Sequence, residues 1–272
     1  MILKSTAAVL GLTVAAAAAQ AGELIKGVDV TADFKVGTER EWRGFNTGKD
    51  IGLGPIPGGD SPGFDGGIEV TFLDGFYVNG RLASFGLGLI GFDIAQTEAA
   101  FSGGYRNSFS FEGTKIDYDV GATYRTYQGD AVDTILPIFG ANIDWYELYG
   151  SLGTNFGGVD VKGTVRYSPE IFGLDAIGGG EYWRLEADAT HTFRVSENFP
   201  VRVFGGIAFS TVELTSSTDV DYIDWRAGVG FPFAGNFEAR FYYVDTENLP
   251  AIVDTLDVAN SRVVAELAVA IN

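Results

Sequence analysis

The feature that most constrains this chain is alternation with a period of two. In Tyr182-Trp183-Arg184-Leu185-Glu186-Ala187-Asp188-Ala189-Thr190, polar and apolar side chains fall on opposite parities. Successive side chains of a β-strand point to opposite faces, so such a stretch is a strand with one greasy side and one polar side. The pattern returns at 115–120, 159–166 and 237–241. Twelve segments carry it: 28–44, 66–72, 76–84, 97–108, 115–127, 143–155, 159–168, 181–195, 200–212, 222–232, 236–245 and 261–271. Most come close to the roughly 9–11 residues that a tilted strand needs to cross a bilayer. The first is longer, and is expected to project beyond the membrane or to bend near Gly37.

The connections alternate as well. Short links at 73–75, 109–114, 156–158, 196–199 and 233–235 exchange with long ones at 46–65, 85–96, 128–142, 169–180, 213–221 and 246–260. Tight turns on one side and long loops on the other mark an outer-membrane barrel, with its turns in the periplasm and its loops outside. The expected fold is therefore all-β: an antiparallel transmembrane β-barrel of about twelve strands with short periplasmic turns and long external loops. It forms one domain over 22–272, and an even strand count returns both ends to the periplasm.

A soluble β-sandwich would also alternate. The aromatic residues argue for the barrel. Trp42, Trp145, Trp183 and Trp225 fall at strand ends facing the long loops, and Phe72, Phe76, Phe109, Phe156, Phe199, Phe231, Phe233 and Phe237 cluster by the short turns. Aromatic rings favour the lipid–water boundary, so two belts imply two interfaces.

The N-terminus agrees. Met1-Ile2-Leu3-Lys4 precedes an apolar stretch over 7–19, and Ala19-Gln20-Ala21 supplies a small-x-small cleavage site. Residues 1–21 read as a signal peptide cleaved after Ala21. The implied address is the outer membrane of a Gram-negative bacterium.

Charge sharpens the reading. The chain has 36 acidic and 18 basic side chains, no Cys and one His. Without Cys there is no disulfide scaffold or thiol nucleophile. The acidic surplus argues against nucleic acid as a partner. Sorted by strand parity, the polar face holds near-equal numbers of each sign, whereas most of the acidic surplus falls in loops, turns and strand ends. The expected pore lining comprises Lys35, Arg43, Arg81, Arg106, Lys115, Asp117, Asp119, Arg125, Glu147, Lys162, Arg166, Arg184, Glu186, Asp188, Arg202, Arg226, Glu238, Arg240, Arg262 and Glu266. A charge facing lipid at mid-depth costs about 2–4 kcal/mol for Arg or Lys, so such residues turn inward. Inside, they either line a water-filled pore or form a salt-bridged plug.

Thr38-Glu39-Arg40-Glu41-Trp42-Arg43-Gly44, close behind the first strand, resembles the Ser-Asp-Tyr-x-Phe-Arg-Gly opening element of the TorF-type porin family, also known as Gcw-type conserved proteobacterial outer-membrane proteins. Gly66-Gly67-Ile68-Glu69-Val70 with Gly75-Phe76-Tyr77-Val78 is similar to that family's second and third strands. Trp145-Tyr146-Glu147-Leu148-Tyr149 and Tyr182-Trp183-Arg184-Leu185-Glu186 are similar too. Arg40 stands where the family has Tyr, and the loop 46–65 is enlarged. The resemblance implies a barrel of porin architecture over nearly the whole mature chain, and supplies no site.

Catalytic motifs find little support. His191 falls on the outward parity, and His191-Thr192-Phe193 lacks the Ser two residues on that outer-membrane phospholipases show. The pairs Asp117/Asp119 and Glu186/Asp188 share a face, as acid–base chemistry or calcium binding would need. Salt bridges to neighbouring Arg residues explain them more simply. Gly52-Leu53-Gly54-Pro55 lacks the strand-to-helix setting of a phosphate loop.

The sequence thus points to a porin-like, non-enzymatic channel for passive diffusion of small hydrophilic solutes or ions, with no cofactor or metal. Acidic external loops give it a mild cation preference. The alternatives are a closed structural or surface-binding barrel and, more distantly, an outer-membrane hydrolase. The expected partners are outer-membrane lipid, lipopolysaccharide and the barrel-assembly machinery during insertion.

Overall fold

The computed structural model describes residues 27–43, 45–47, 62–89, 92–128, 143–172, 179–197, 199–215, 218–249 and 259–271. The expected signal peptide, most of the loop 46–65 and the centres of several other long connections lie outside the described residues. The described elements are all strands. They begin with β1 (Val28–Gly37), β2 (Glu41–Trp42), β3 (Phe45–Asn46), β4 (Gly63–Phe72) and β5 (Phe76–Leu89). Next come β6 (Phe92–Phe111), β7 (Thr114–Gln128), β8 (Trp145–Phe156), β9 (Val159–Ser168) and β10 (Tyr182–Ser196). The chain ends through β11 (Phe199–Thr215), β12 (Thr218–Phe233), β13 (Phe237–Glu247) and β14 (Arg262–Ile271).

Twelve of these strands form a closed antiparallel barrel, and β2 pairs only with β3. β1 closes the ring by pairing on both sides, Val30 opposite Val70 of β4 and Phe34 opposite Val269 of β14. Closure leaves no unpaired sheet edge. The tight turns follow from local conformation. Glu112 and Gly113 have φ of 48° and 81°, and Gly157 and Gly158 have 60° and 86°. Positive φ at both central residues gives a two-residue turn the twist that its flanking strands require.

The two faces of the wall differ as the alternation predicts. Leu185, Ile207 and Val263 point outward with 57%, 55% and 69% of their surface exposed. A continuous exterior of large apolar side chains suits hydrocarbon rather than water. At the short-turn end, Phe72 stacks on Phe76 and Phe233 on Phe237, with ring centroids 6.4 and 5.9 Å apart. At the opposite end Tyr167 meets Trp183 at 4.4 Å, and Trp225 meets Tyr243 at 5.2 Å. Two aromatic girdles therefore bound the apolar band.

Several expectations need correction. Trp42 and Trp145 belong to no girdle: Trp145 is buried inside the barrel and Trp42 packs against it. The stretch 85–96 is mostly strand rather than a long loop, because pairing of β5 with β6 continues through irregularities after Ser84 and Leu87. Such bulges shift side-chain parity, which erases the alternating signal without ending the sheet. For the same reason 213–221 is largely strand, with an irregularity between Glu213 and Thr215. β4 starts at Gly63, so Asp65 sits on the wall and not in a loop.

The largest departure concerns 28–44. The strand stops at Gly37, and residues 38–43 and 45–47 turn into the lumen, so Arg43 is not part of the wall. Two glycines make room for this. A Cβ on Gly37 would lie 2.9 Å from the Ala265 carbonyl oxygen, and one on Gly63 would lie 2.2 Å from the Arg40 nitrogen. The inserted backbone thus runs through the space a Gly63 side chain would occupy. Arg43 turns the small β2–β3 hairpin with φ of 54°, a left-handed conformation uncommon outside glycine.

Candidate channel interior

The segment 38–47 carries Glu39, Arg40, Glu41 and Arg43, and each meets an opposite charge on a different part of the wall. Glu39 pairs with Arg262 of β14. Arg40 donates to Glu98 of β6 at 2.8 Å and to the Ser84 carbonyl of β5 at 3.0 Å. Glu41 lies 3.4 Å from Arg226 of β12, and Arg43 donates to Glu147 of β8. Contacts to β5, β6, β8, β12 and β14 mean that the segment spans the lumen.

Glu147 is fully buried and also takes Arg125 at 3.2 Å and Arg166 at 3.0 Å. From there the network runs through both of its neighbours. Arg125 reaches Glu98 at 2.8 Å, and Tyr127 donates its hydroxyl to the same carboxylate. In the other direction Arg166 meets Glu186 at 3.2 Å, and Arg184 joins Glu186 to Asp224 with 2.6 Å contacts to both. Buried carboxylates are tolerable only when so compensated, since an isolated one would cost several kcal/mol.

Above this network lies an aromatic roof. Phe85, Tyr127, Ile143, Trp145, Ile171 and Tyr182 form a buried cluster, with Trp42 and Phe172 packed against it. The Arg43 guanidinium sits over Trp42 at 4.7 Å and Tyr182 at 4.8 Å. Guanidinium planes stack favourably on such rings, which helps hold a buried cation.

Elsewhere the inward charges pair along a strand, with the neighbouring strand or with the next strand but one. Arg240 meets Glu238 at 2.7 Å and Glu266 at 3.0 Å, while Arg202 reaches Glu238 at 2.9 Å. Lys35 lies 3.4 Å from Glu266, and Arg226 also meets Asp188 at 2.9 Å. Arg81 joins Asp33 at 2.9 Å and pairs with Asp65, and Arg106 reaches Glu69 at 2.7 Å. Lys115 and Asp117 pair with each other at 2.8 Å, both largely exposed near the short turns.

Among the described residues, two cavities are lined by these side chains. One, of about 350 Å³, is lined by Lys35, Glu41, Asp188, Arg202, Arg226, Arg240 and Glu266 with Thr190, Phe204, Gly205 and Tyr242. The other, of about 340 Å³, is bounded by β4–β9, and its charged lining includes Arg81, Arg106, Asp119, Arg125, Lys162 and Arg166. Their walls share no strand. The inserted segment touches both, giving Glu41 to the first and Arg40 and Trp42 to the second.

Of the residues expected inside, twelve line one cavity or the other. Arg43, Glu147, Arg184, Glu186, Glu238 and Arg262 instead hold the ionic networks. Parity reasoning missed Glu39, Arg40, Glu41 and Trp42 as luminal groups, together with Asp65, Tyr77 and Tyr149. The signal was present. Glu39, Arg40 and Glu41 are consecutive, so in a wall strand at least one charge would face lipid. Tyr77 and Tyr149 join their hydroxyls, and Tyr77 also donates to Asp119 at 2.8 Å. These tyrosines lie across Gly104 and Gly121, where a Cβ would meet a hydroxyl oxygen at 2.6 and 2.5 Å. His191 has a structural setting: its Nδ1 lies 2.8 Å from the Gly158 carbonyl oxygen and its ring stacks on Phe193.

A family model described as "Bacterial protein of unknown function (Gcw_chp)" matches residues 23–270. No curated protein matches in sequence. Among solved structures, the chain is similar to a KdgM porin, with 11% identity, 89% of this chain and 98% of that chain covered, and a TM-score of 0.49. It is also similar to LpxR from Salmonella typhimurium, with 11% identity over 89% of this chain and 99% of that one, at a TM-score of 0.47. A NanC porin gives 8% identity, the same coverages and a TM-score of 0.47.

Proposed function

The chain belongs to the bacterial family Gcw_chp, whose function is open, and from that premise we propose that it is a porin-like channel of the outer membrane. Small hydrophilic solutes diffuse passively through it. The observation that carries the reading is an ionic lumen with two cavities inside a closed wall whose outer face is apolar. Hydrated charge within a wall of this kind is the material of a permeation path. The likeness of residues 38–44 to the TorF-type porins points the same way. Lipid and lipopolysaccharide would contact the girdled exterior, with the barrel-assembly machinery inserting the exported chain.

A mild cation preference belongs to this proposal and rests on the acidic external loops. The two cavities themselves are lined by more basic than acidic side chains. Loop acids therefore concentrate cations at the mouth, and salt weakens that effect first.

Swelling of liposomes that contain the refolded protein, in isotonic sugars of increasing size, tests the channel. Swelling in small sugars with a cut-off at larger ones supports it; no swelling in any sugar contradicts it. A second reading, a closed barrel with a structural or surface-binding role, draws on the aromatic roof over part of the lumen. That reading predicts folded protein without permeability. Hydrolase activity finds no comparable support, since His191 bonds to backbone and packs on Phe193.

A further inference from the structure

We propose that the cavity bounded by β4–β9 binds a small hydroxylated carboxylate, and that Lys162 receives its carboxylate group. This deepens the channel reading, and rests on it for the view that the bound solute is cargo.

Six cations and four carboxylates line this cavity, and their ion pairs leave one cation over. Arg40 and Arg125 meet Glu98, Arg81 meets Asp65, and Arg106 meets Glu69. Arg166 meets Glu147 and Glu186. Asp119, the fourth lining carboxylate, accepts the Tyr77 hydroxyl at 2.8 Å. Lys162 is exposed to the cavity, yet makes no ion pair among the described residues. Its cross-strand neighbours explain why. Opposite it on β8 stands Gly153, which has no side chain to offer, and opposite it on β10 stands Asp188. Asp188 instead meets Arg226 at 2.9 Å, on the side of the other cavity. An ammonium group that the wall leaves uncompensated is free to take a solute's carboxylate in a charge-assisted hydrogen bond.

Groups for the rest of such a solute stand beside it. Thr164 shares the inward face of β9 with Lys162, and Ser151 stands opposite Thr164 on β8; both line the cavity. Hydroxyls donate and accept, as a polyol requires. Two guanidiniums flank the same space. Arg106 sits over the Tyr77 ring at 4.1 Å and Arg166 over the Tyr149 ring at 5.6 Å, and these tyrosines join their hydroxyls. The Arg106 and Arg166 side chains remain 43% and 25% exposed, so both are open to approach from the lumen. The volume of about 340 Å³ falls within the roughly 300–1,000 Å³ of small-molecule sites. Loop acids act at the mouth over a distance that salt screens, whereas Lys162 acts at contact inside. Cations gathered at the entrance and a carboxylate held within are therefore compatible.

Residues 22–272, refolded in detergent, are titrated with D-gluconate and with the uncharged polyol D-sorbitol by isothermal calorimetry at about 0.1 M ionic strength. Calorimetry reads binding without needing current. Lys162→Gln breaks no ion pair and is expected to fold, which heat-modifiable gel migration checks; Lys162→Met takes its place if it does not. Lys115→Gln removes the same charge from a residue that lines neither cavity. Wild type and Lys115→Gln are expected to bind gluconate alike, with gluconate on Lys162→Gln and sorbitol on wild type each at least about tenfold weaker. No gluconate binding by folded wild type, equal binding by Lys162→Gln, an equal loss in Lys115→Gln, or sorbitol bound as tightly as gluconate overturns the proposal. Planar bilayers separate the two readings. Lys162-dependent binding by folded protein that carries no current supports the site and contradicts the channel, whereas current without gluconate binding supports the channel and overturns the site.

Discussion

Arg43 reaches from the inserted hairpin to Glu147 on β8, a fully buried carboxylate that also takes Arg125 and Arg166. One acid thus ties the luminal segment to three strands of the wall. Removing one member of a buried ionic group leaves the rest uncompensated, at a cost of about 3–5 kcal/mol. Glu147→Gln should therefore unfold far more readily in guanidinium than wild type. Asp117→Asn breaks only an exposed pair with Lys115, and should shift stability by less than about 1 kcal/mol. Comparable losses in the two variants would contradict the network described.

The inward turn of residues 38–43 depends on an absent side chain. A Cβ at Gly63 would meet the Arg40 backbone nitrogen at 2.2 Å, whereas at Gly80 it would meet nothing within 4 Å. Overpacking of this kind costs about 1–3 kcal/mol. Gly63→Ala should lower the guanidinium midpoint, with Gly80→Ala close to neutral. A neutral Gly63→Ala would mean that the segment does not pass where it is placed.

The exterior makes its own prediction. Ile207 lies near the middle of β11 with its side chain outward. Ile207→Arg should cost about 2–4 kcal/mol of barrel stability in lipid, measured by reversible unfolding in vesicles. Ile207→Leu should cost far less. Equal tolerance of both would place this face in water.

Ion preference should depend on salt. With loop acids acting at a distance and luminal charges paired at contact, screening removes the former first. Reversal potentials should show cation preference at about 0.01 M KCl that fades or inverts at about 1 M, where the Debye length falls to roughly 3 Å. Cation preference unchanged across that range would argue against the loops as its source.

The strand count and barrel closure were legible because lipid outside and charge inside enforce a parity that a single sequence displays. Residues such as Arg184, Glu186 and Asp188 announce their face by spacing alone. What stayed hidden breaks that parity. A bulge past Ser84 shifts the register, so the extensions of β5 and β6 looked like loop. The luminal segment alternates weakly enough to pass for strand, and only the consecutive charges Glu39, Arg40 and Glu41 betray it. Trp145 obeys the alternation of β8, yet Trp at a strand end suggested a lipid boundary. Its inward parity with Glu147 was the better guide, because an inner aromatic cluster and an outer girdle draw on the same residue types.

The central claim is that this barrel conducts. Single-channel recording of refolded residues 22–272 in planar bilayers tests it most directly. The account predicts discrete, reproducible openings in KCl, with a conductance that rises when residues 39–43 are replaced by a Gly-Ser stretch of equal length. Folded protein that carries no current in either form would contradict it.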